Sequence, residues 1–401
     1  LRYKKRRMPS QEPPSASTRI ESIDWLRGMV MILMLLDHAR DFIHHGGFDN
    51  DPLDAATTTP ALYLTRWVTH LCAPTFVFLA GVSARLQLQR GLAPRALSRF
   101  LLTRGLFLVG LELFILRPLM FAGMDFEVIA FLQVIWALGW SMVVLAGLIF
   151  APLWLVALFG AALVLLHNLF DGFQYDMPAT TLPGILWTLL HQDGVILLGH
   201  DGPVAMVKYP LGPWIGVMAL GYIAGGLFAL EPSRRRRLLA GIGAAAVACF
   251  LALRWSNLYG DPHPWRAPHD ASGAPMESWR TACAFFDVEK YPPSFLYVLI
   301  TLGISLGLLA CLDGRRFGAL SKPVLTFGRV PLFFYVLQWP LLKLIAAVMR
   351  KIGGQEVGMR GGFGLSGVYL GWAIGLVVLY PLCLAFARLK RRHKAAWLSY
   401  L

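Results

Sequence analysis

The feature that most constrains this chain is a series of stretches, each roughly 18 to 23 residues long, that carry almost no charge. At about 1.5 Å per residue, a helix of that length crosses a hydrocarbon core about 30 Å thick. Backbone groups in lipid must hydrogen bond within the protein, and runs such as residues 140–150 lack the alternation of a barrel strand. Hydrophobic side chains make up 56% of the chain and charged ones 15%. We therefore predict an all-α integral membrane protein.

About ten spans can be placed along the sequence. They cover residues 24–44, 66–88, 100–118, 128–150, 152–168, 211–230, 236–255, 293–312, 328–349 and 366–388. The longest connections fall at residues 45–65, 169–210 and 256–292, and the last two should hold loops and short interfacial helices. Residues 1–21 form a basic, Pro- and Ser-rich segment for which we predict a mobile cytoplasmic tail. Residues 22–401 should form a single transmembrane domain.

The net charge of +14 is explained by orientation in the membrane. Lys and Arg collect in the N-terminal segment and in residues 85–104, 234–237, 315–322 and 388–394, whereas the connections between them are acidic. Cytoplasmic loops carry this excess of positive charge. The pattern predicts that both termini are cytoplasmic, and it gives no reason to expect a nucleic-acid partner.

The first span breaks its apolar run with ionisable residues, each of which costs a few kcal/mol in mid-bilayer. Arg27 and His38 lie on nearly the same helix face, about 16 Å apart along the axis. Asp24, Asp41 and His45 extend this stripe from rim to rim. An ionisable residue near either membrane surface can simply mark that surface. His38 and Asp37 should lie deeper in the membrane, where an ionisable side chain usually has a functional role.

His38 is suited to proton transfer near neutral pH, and Asp41, one turn away, could orient it. Asp37 lies on a different face but can reach Arg40 or Asp41. In the second span, Arg66 and His70 are four residues apart and should lie at a similar depth. Gln338 in the ninth span could bind a substrate or a neighbouring helix. We expect no metal, because the His pair lacks a third ligand at a recognisable spacing.

Several segments resemble the heparan-α-glucosaminide N-acetyltransferase catalytic-domain family, most closely its bacterial members, and more remotely the acyltransferase-three O-acyltransferases. The segments are SIDWLRGMVMILMLLDH (22–38), RWVTHLCAPTFVFLAGVSA (66–84), KYPPSFLYVLITLG (290–303), FGRVPLFFYVLQWPLL (327–342) and the terminal KRRHKAAWLSYL. In the O-acyltransferases a His follows the motif Arg as His38 follows Arg27 here. In the lysosomal member the catalytic His lies in the loop after this helix, where this chain has His44 and His45. Bacterial members commonly have His at the place of Gln338.

The resemblance implies acyl transfer from cytoplasmic acetyl-CoA to an outward-facing glycan or amino-sugar acceptor, in a bacterial inner membrane. It assigns His38 to catalysis, assisted by Asp37, Asp41 and His70. It assigns Arg27 and Asp24, with Arg104 and Arg329, to the CoA side. Acceptor binding would then involve Arg40, His44, His45, Arg66 and Gln338. The rival hypothesis is a proton-coupled transporter that uses Asp37 and His38 as a relay. Membrane lipid is the expected surrounding, and a homodimer is left open.

Overall fold

A computed structural model of the chain describes residues 19–47, 51–121, 128–197, 204–269, 273–315, 317–355, 362–393, 398 and 400. The described helices are α1 (Glu21–Ile43), α2 (Pro60–Trp67), α3 (Cys72–Gln89), α4 (Pro94–Leu111), α5 (Arg117–Phe121), α6 (Val134–Leu148), α7 (Leu153–Leu165), α8 (Leu182–Leu190), α9 (Leu211–Ala224), α10 (Pro232–Ser256), α11 (Ser278–Phe286), α12 (Phe295–Leu312), α13 (Lys322–Arg329), α14 (Pro331–Ile352) and α15 (Leu365–Arg392). Most of the predicted N-terminal tail lies outside the described residues.

Within those residues, six helical segments are long and apolar enough to cross a membrane: Pro60–Gln89, Leu211–Ala229, Pro232–Ser256, Phe295–Leu312, Pro331–Ile352 and Leu365–Arg392. The chain is therefore a multi-pass, mainly helical membrane protein. The other four predicted spans also coincide with helices. Helices α6 and α7 are shorter, α4 is interrupted, and α1 carries charged side chains along its length. That all ten cross the membrane stays a prediction.

A small β-sheet departs from the all-α prediction. Strand β1 (Val128–Leu132) pairs in parallel with β3 (Val204–Val207), and β3 pairs antiparallel with β2 (Gly194–Leu197). The apolar run of β1 reads as the start of a span, because short apolar runs do not distinguish a buried strand from a buried helix. The fourth predicted span thus begins with a strand, and only residues 134–148 of it are helical.

The start of α6 is stabilised by a carboxylate from another helix. A short π-helical segment, Glu112–Leu116, links α4 to α5 and turns Glu112 into the interior. One Glu112 carboxylate oxygen accepts hydrogen bonds from the backbone N–H groups of Ile135 and Trp136, both at 3.1 Å. These are among the N–H groups that a helix leaves without partners at its N-terminus. The turn between β1 and α6 is therefore fixed by Glu112.

Helix ends that the charge pattern assigns to one side lie together. Arg235 at the start of α10 forms an ion pair at 2.8 Å with Asp313 at the end of α12, and Ser22 at the start of α1 lies 3.4 Å from the same carboxylate. At the opposite end of α1, Arg350 donates to the Phe42 carbonyl at 2.7 Å. This arrangement matches the alternation read from the basic loops, whereas the orientation of the termini stays a prediction.

Helix α1 lies against α13 with the two backbones in direct contact. A side chain added at Gly28 would overlap the Val324 carbonyl group, and one added at Gly328 would overlap the Asp24 carbonyl group. Both positions therefore require glycine. This contact gives the glycine of the DWLRG segment a packing role and fixes α1 next to the helices that follow it 301 residues later.

Candidate active site

The main cavity lies beside the C-terminal half of α1 and has a volume of about 720 Å³. Its walls come from α1, the Arg66 end of α2, the end of α5, strands β1 and β3, the segment before α12, and α14. The described side chains that line it include Asp37, His38, Arg40, Asp41, Arg66, Phe131, Met206, Lys208, Tyr209, Lys290, Tyr291, Tyr335 and Trp339. The volume is within the range of small-molecule sites. Five of the residues predicted from the sequence therefore meet at one cavity.

A chain of ion pairs runs along one wall. Arg66 Nη1 lies 2.7 and 2.6 Å from the two carboxylate oxygens of Asp37. Arg40 Nη2 lies 3.6 Å from Asp37 and 2.5 Å from Asp41. The contact between Asp37 and Arg40 was predicted from helical spacing, but the contact with Arg66 was not. Because Asp37 neutralises Arg66, that arginine acts first as a structural partner.

His38 ends this chain of ion pairs. Its Nδ1 atom lies 3.5 Å from Asp41 Oδ2, longer than a hydrogen bond of good geometry, and its ring packs against Trp339 at a tilt of 43°, with centroids 4.1 Å apart. The ring is thus held between an α14 indole and an acidic neighbour on its own helix. A modest approach of Asp41 would fix the proton on Nδ1 and leave Nε2 as the basic nitrogen.

His70 and Gln338 lie behind the cavity wall. A 3₁₀ turn, Val68–Leu71, interrupts the helix between Arg66 and His70. His70 is 1% exposed, and its ring packs edge-on against Tyr297 with centroids 5.3 Å apart. Gln338 is fully buried, with its amide nitrogen 3.8 Å from the Met34 sulfur. Neither His70 nor Gln338 is among the described residues that line the cavity. Met34, which contacts Gln338, does line it.

His44 and His45 are placed outside the site. His44 is buried and accepts a hydrogen bond at 3.1 Å from the Gly46 N–H, whereas His45 is exposed. The backbone here pairs with Phe363, which receives the His45 N–H at 3.0 Å. Neither ring lines the cavity described above. The structure therefore brings His38, and not these two residues, to the cavity.

The residues predicted for the CoA side gather at the N-terminal end of α1. Arg27 donates to Ser83 Oγ at 2.9 Å, to the Gly328 carbonyl at 3.4 Å and to Asp24 at 3.3 Å, and so joins α1 to α3 and α13. Asp24 is buried and also forms an ion pair with Arg19. Arg329 lies 3.9 Å from the same carboxylate and is more exposed. Arg27 therefore has a clear packing role here.

A second, narrow cavity of about 40 Å³ lies between Arg104 and the main cavity. It shares the lining residues Met34, Val134 and Tyr335 with the main cavity, and Arg104 lines it as well. The remaining walls are apolar side chains of α3, α4, α6 and α14. The two cavities therefore adjoin along α1, with Met34 and Tyr335 at the junction.

Sequence reasoning missed the basic and aromatic side chains that line the cavity from segments other than α1. Lys290 and Tyr291 come from the short segment before α12, and Lys208 and Tyr209 follow β3. Lys290 belongs to the KYPPS segment that carries part of the resemblance, which was the available signal. Apart from this resemblance, a single sequence contains nothing that distinguishes a lysine in a predicted outer loop as a functional residue.

Comparison with known proteins identifies one family. The family model described as heparan-alpha-glucosaminide N-acetyltransferase, catalytic, matches residues 19–256, which is more than half of the chain. No curated protein matches the chain. In the part of the chain that the structure describes, no group of three or more His, Cys, Asp or Glu side chains is arranged to hold a metal ion.

Proposed function

Because the chain belongs to the family of the heparan-alpha-glucosaminide N-acetyltransferase catalytic domain, we propose that it transfers an acetyl group from cytoplasmic acetyl-CoA to an acceptor across the membrane. The proposed acceptor is an outward-facing amino sugar or other glycan, and the proposed location is a bacterial inner membrane. Membership of the family supports the type of reaction, and the distribution of Lys and Arg among the loops supports the orientation in the membrane. The acceptor's identity rests on the resemblance alone.

His38 is the proposed general base. Its Nε2 atom takes the proton from the acceptor's amine or hydroxyl as that atom attacks the thioester carbonyl carbon. The carbon–sulfur bond then breaks, and CoA leaves with the proton returned by His38. Asp41, 3.5 Å from Nδ1, stabilises the imidazolium, and Trp339 holds the ring plane. Asp37, linked to Asp41 through Arg40, acts as a positioning residue.

The donor is proposed to reach His38 along α1. The CoA phosphates would remain at the basic end of the bundle, near Arg104 and Arg329, where guanidinium groups suit phosphate recognition. The pantetheine arm would pass through the narrow cavity, whose apolar walls lie between Arg104 and the junction at Met34 and Tyr335. At 40 Å³ this passage requires the junction to widen when the donor binds.

The observation that carries the proposal is the position of His38 on α1. One helix places this His at a cavity large enough for an acceptor, and its other end lies among arginines that can meet phosphate. The test is acetyl-CoA turnover by the purified protein in nanodiscs, with binding of CoA measured by calorimetry. Wild type is compared with His38→Ala and with the control His269→Ala, an exposed loop histidine.

We expect His38→Ala to lower kcat by about 10² to 10⁴ while CoA still binds, because a positioned general base contributes that factor. The control should keep wild-type turnover. Absence of CoA binding by the folded wild-type protein would rule out the acetyltransferase and favour proton-coupled transport. Transport would then be tested by substrate uptake under an imposed proton gradient.

A further inference from the structure

Lys290 differs from the other cations at the main cavity. Arg40, Arg66 and Lys208 form ion pairs at 2.5, 2.6 and 3.0 Å with Asp41, Asp37 and Asp193, respectively. For the Lys290 ammonium group, the described residues supply no carboxylate at ion-pair distance. Yet Lys290 is 8% exposed and lines the cavity. A buried charge without a carboxylate at ion-pair distance is costly, so its position needs a reason.

The Lys290 ammonium interacts with both the ring and the hydroxyl group of Tyr291. It lies 5.1 Å from the centre of the Tyr291 ring, within cation–π range, and its charge acts on the Tyr291 hydroxyl. Burial acts to raise the pKa of Tyr291, but the charges of Lys290 and Arg66 outweigh it and hold that pKa below its usual value. The field at this point of the cavity therefore favours an oxygen that carries negative charge.

The segment that carries Lys290 is rigidly held. The Tyr291 N–H donates to the Glu289 carboxylate at 2.8 Å, and the Glu289 N–H donates to Asp261 at 2.9 Å. Ser294 Oγ donates to the same Asp261 carboxylate at 2.9 Å and caps α12 through the Tyr297 N–H. Lys290 is thus presented to the cavity from a fixed turn, as preorganised electrostatic stabilisation requires.

Resting on the acetyltransferase proposed above, we propose that Lys290 is a catalytic residue that stabilises the oxyanion of the tetrahedral intermediate. When the acceptor atom bonds to the thioester carbonyl carbon, the carbonyl π electrons move onto oxygen. The Lys290 ammonium pairs with that oxygen until the carbonyl re-forms and the carbon–sulfur bond breaks. The negative charge is transient, which explains why the described residues hold no carboxylate at ion-pair distance from this cation.

The test compares Lys290→Met and Lys290→Gln with Lys290→Arg and with the control Lys351→Met, an exposed lysine at the end of α14. Full-length protein in nanodiscs is assayed with acetyl-CoA and glucosamine, and CoA binding is measured on the same samples. We expect the two neutral variants to lose about 10²- to 10³-fold in kcat, the cost of one oxyanion donor, with KM for both substrates within a few-fold of wild type. Lys290→Arg should recover part of the loss, and Lys351→Met should match wild type.

Two outcomes overturn the assignment. Unchanged kcat in the neutral variants shows that Lys290 does not act on the transition state, and a raised KM for glucosamine with unchanged kcat makes it a ground-state binding residue. A variant that still binds CoA is folded, so CoA binding distinguishes these results from misfolding. If the Met variant does not fold, the Gln variant, which is also neutral, provides the test. A wild-type protein that binds no CoA would instead mark failure of the acetyltransferase proposal.

Discussion

Asp37 and Arg66, 29 residues apart in sequence, form an ion pair in which one guanidinium nitrogen lies within 2.7 Å of both carboxylate oxygens. Both side chains are largely buried beside the main cavity. This contact attaches α2 to α1 at the depth of His38. Because Asp37 is the carboxylate at ion-pair distance from the buried Arg66, the pair contributes to stability and holds Arg66 at the cavity wall.

Asp37→Asn should destabilise the protein by about 3–5 kcal/mol, because it leaves the Arg66 charge buried without its partner. The double variant Asp37→Asn/Arg66→Gln should recover a substantial part of that loss. The measurement is a double-mutant cycle of unfolding free energies in detergent. Purely additive effects of the two substitutions would show that the pair contributes nothing to folding.

Gly28→Ala should destabilise the bundle by about 1–3 kcal/mol or more, because its methyl group would overlap the backbone of α13. Gly307→Ala is the matched control, since an added Cβ at that helical glycine meets no atom within 4 Å. The control should be neutral or stabilising by about 0.5–1 kcal/mol. Thermal unfolding of both variants tests this, and equal effects would contradict the close packing of α1 on α13.

Arg104→Ala should weaken CoA binding about tenfold to a hundredfold, the usual effect of losing one hydrogen bond to a charged group. The matched control is Arg95→Ala. Arg95 is an exposed arginine at the start of the same helix, and the excess of positive charge in cytoplasmic loops is enough to explain its presence. Calorimetric titration with CoA measures both. If the two variants bind CoA equally well, the donor does not enter beside Arg104.

Asp287 should make the stability of the protein depend on pH. Burial, with Asp51, raises the pKa of Asp287 to about 7, well above the value of about 3.9 for an unfolded chain. The folded state therefore binds the proton more tightly, so stability falls as pH rises from about 4 through 7 and stays low above it. Thermal unfolding should show Asp287→Asn more stable than wild type at pH 8, on the order of a few degrees, with a smaller difference at pH 5.5 and none near pH 4. If the difference in stability between the variant and wild type did not change with pH, ionisation of Asp287 would not be its cause.

Local spacing made part of the site predictable. The pairs Asp24–Arg27 and His38–Asp41 lie three residues apart on one helix, and both are in contact in the structure. Contacts between distant segments, such as Asp37–Arg66, could not be predicted, because helical periodicity gives the face of a helix but not its neighbour. Lys290 was missed for the same reason: what singles it out is the set of carboxylates that the other cations already occupy.

The helical segments were predictable from hydropathy, and the sheet was not. Strand β1 is a five-residue apolar run next to an apolar helix, and its partner β3 comes from a connection for which loops and short interfacial helices were predicted. Glu112 shows a further limit. A carboxylate inside a predicted span suggests chemistry, but its hydrogen bonds to the Ile135 and Trp136 N–H groups give it a capping role that only the fold reveals.

The contact of Gly28 with α13 also bears on how the protein is made. Arg27 binds the Gly328 carbonyl across 301 positions, so the first helix is synthesised long before its partner. Until then its charged side chains lack α13 and α14, which later cover them. The site is thus completed only when the last part of the nascent chain arrives, and a chain released early would hold its motif residues without a working cavity.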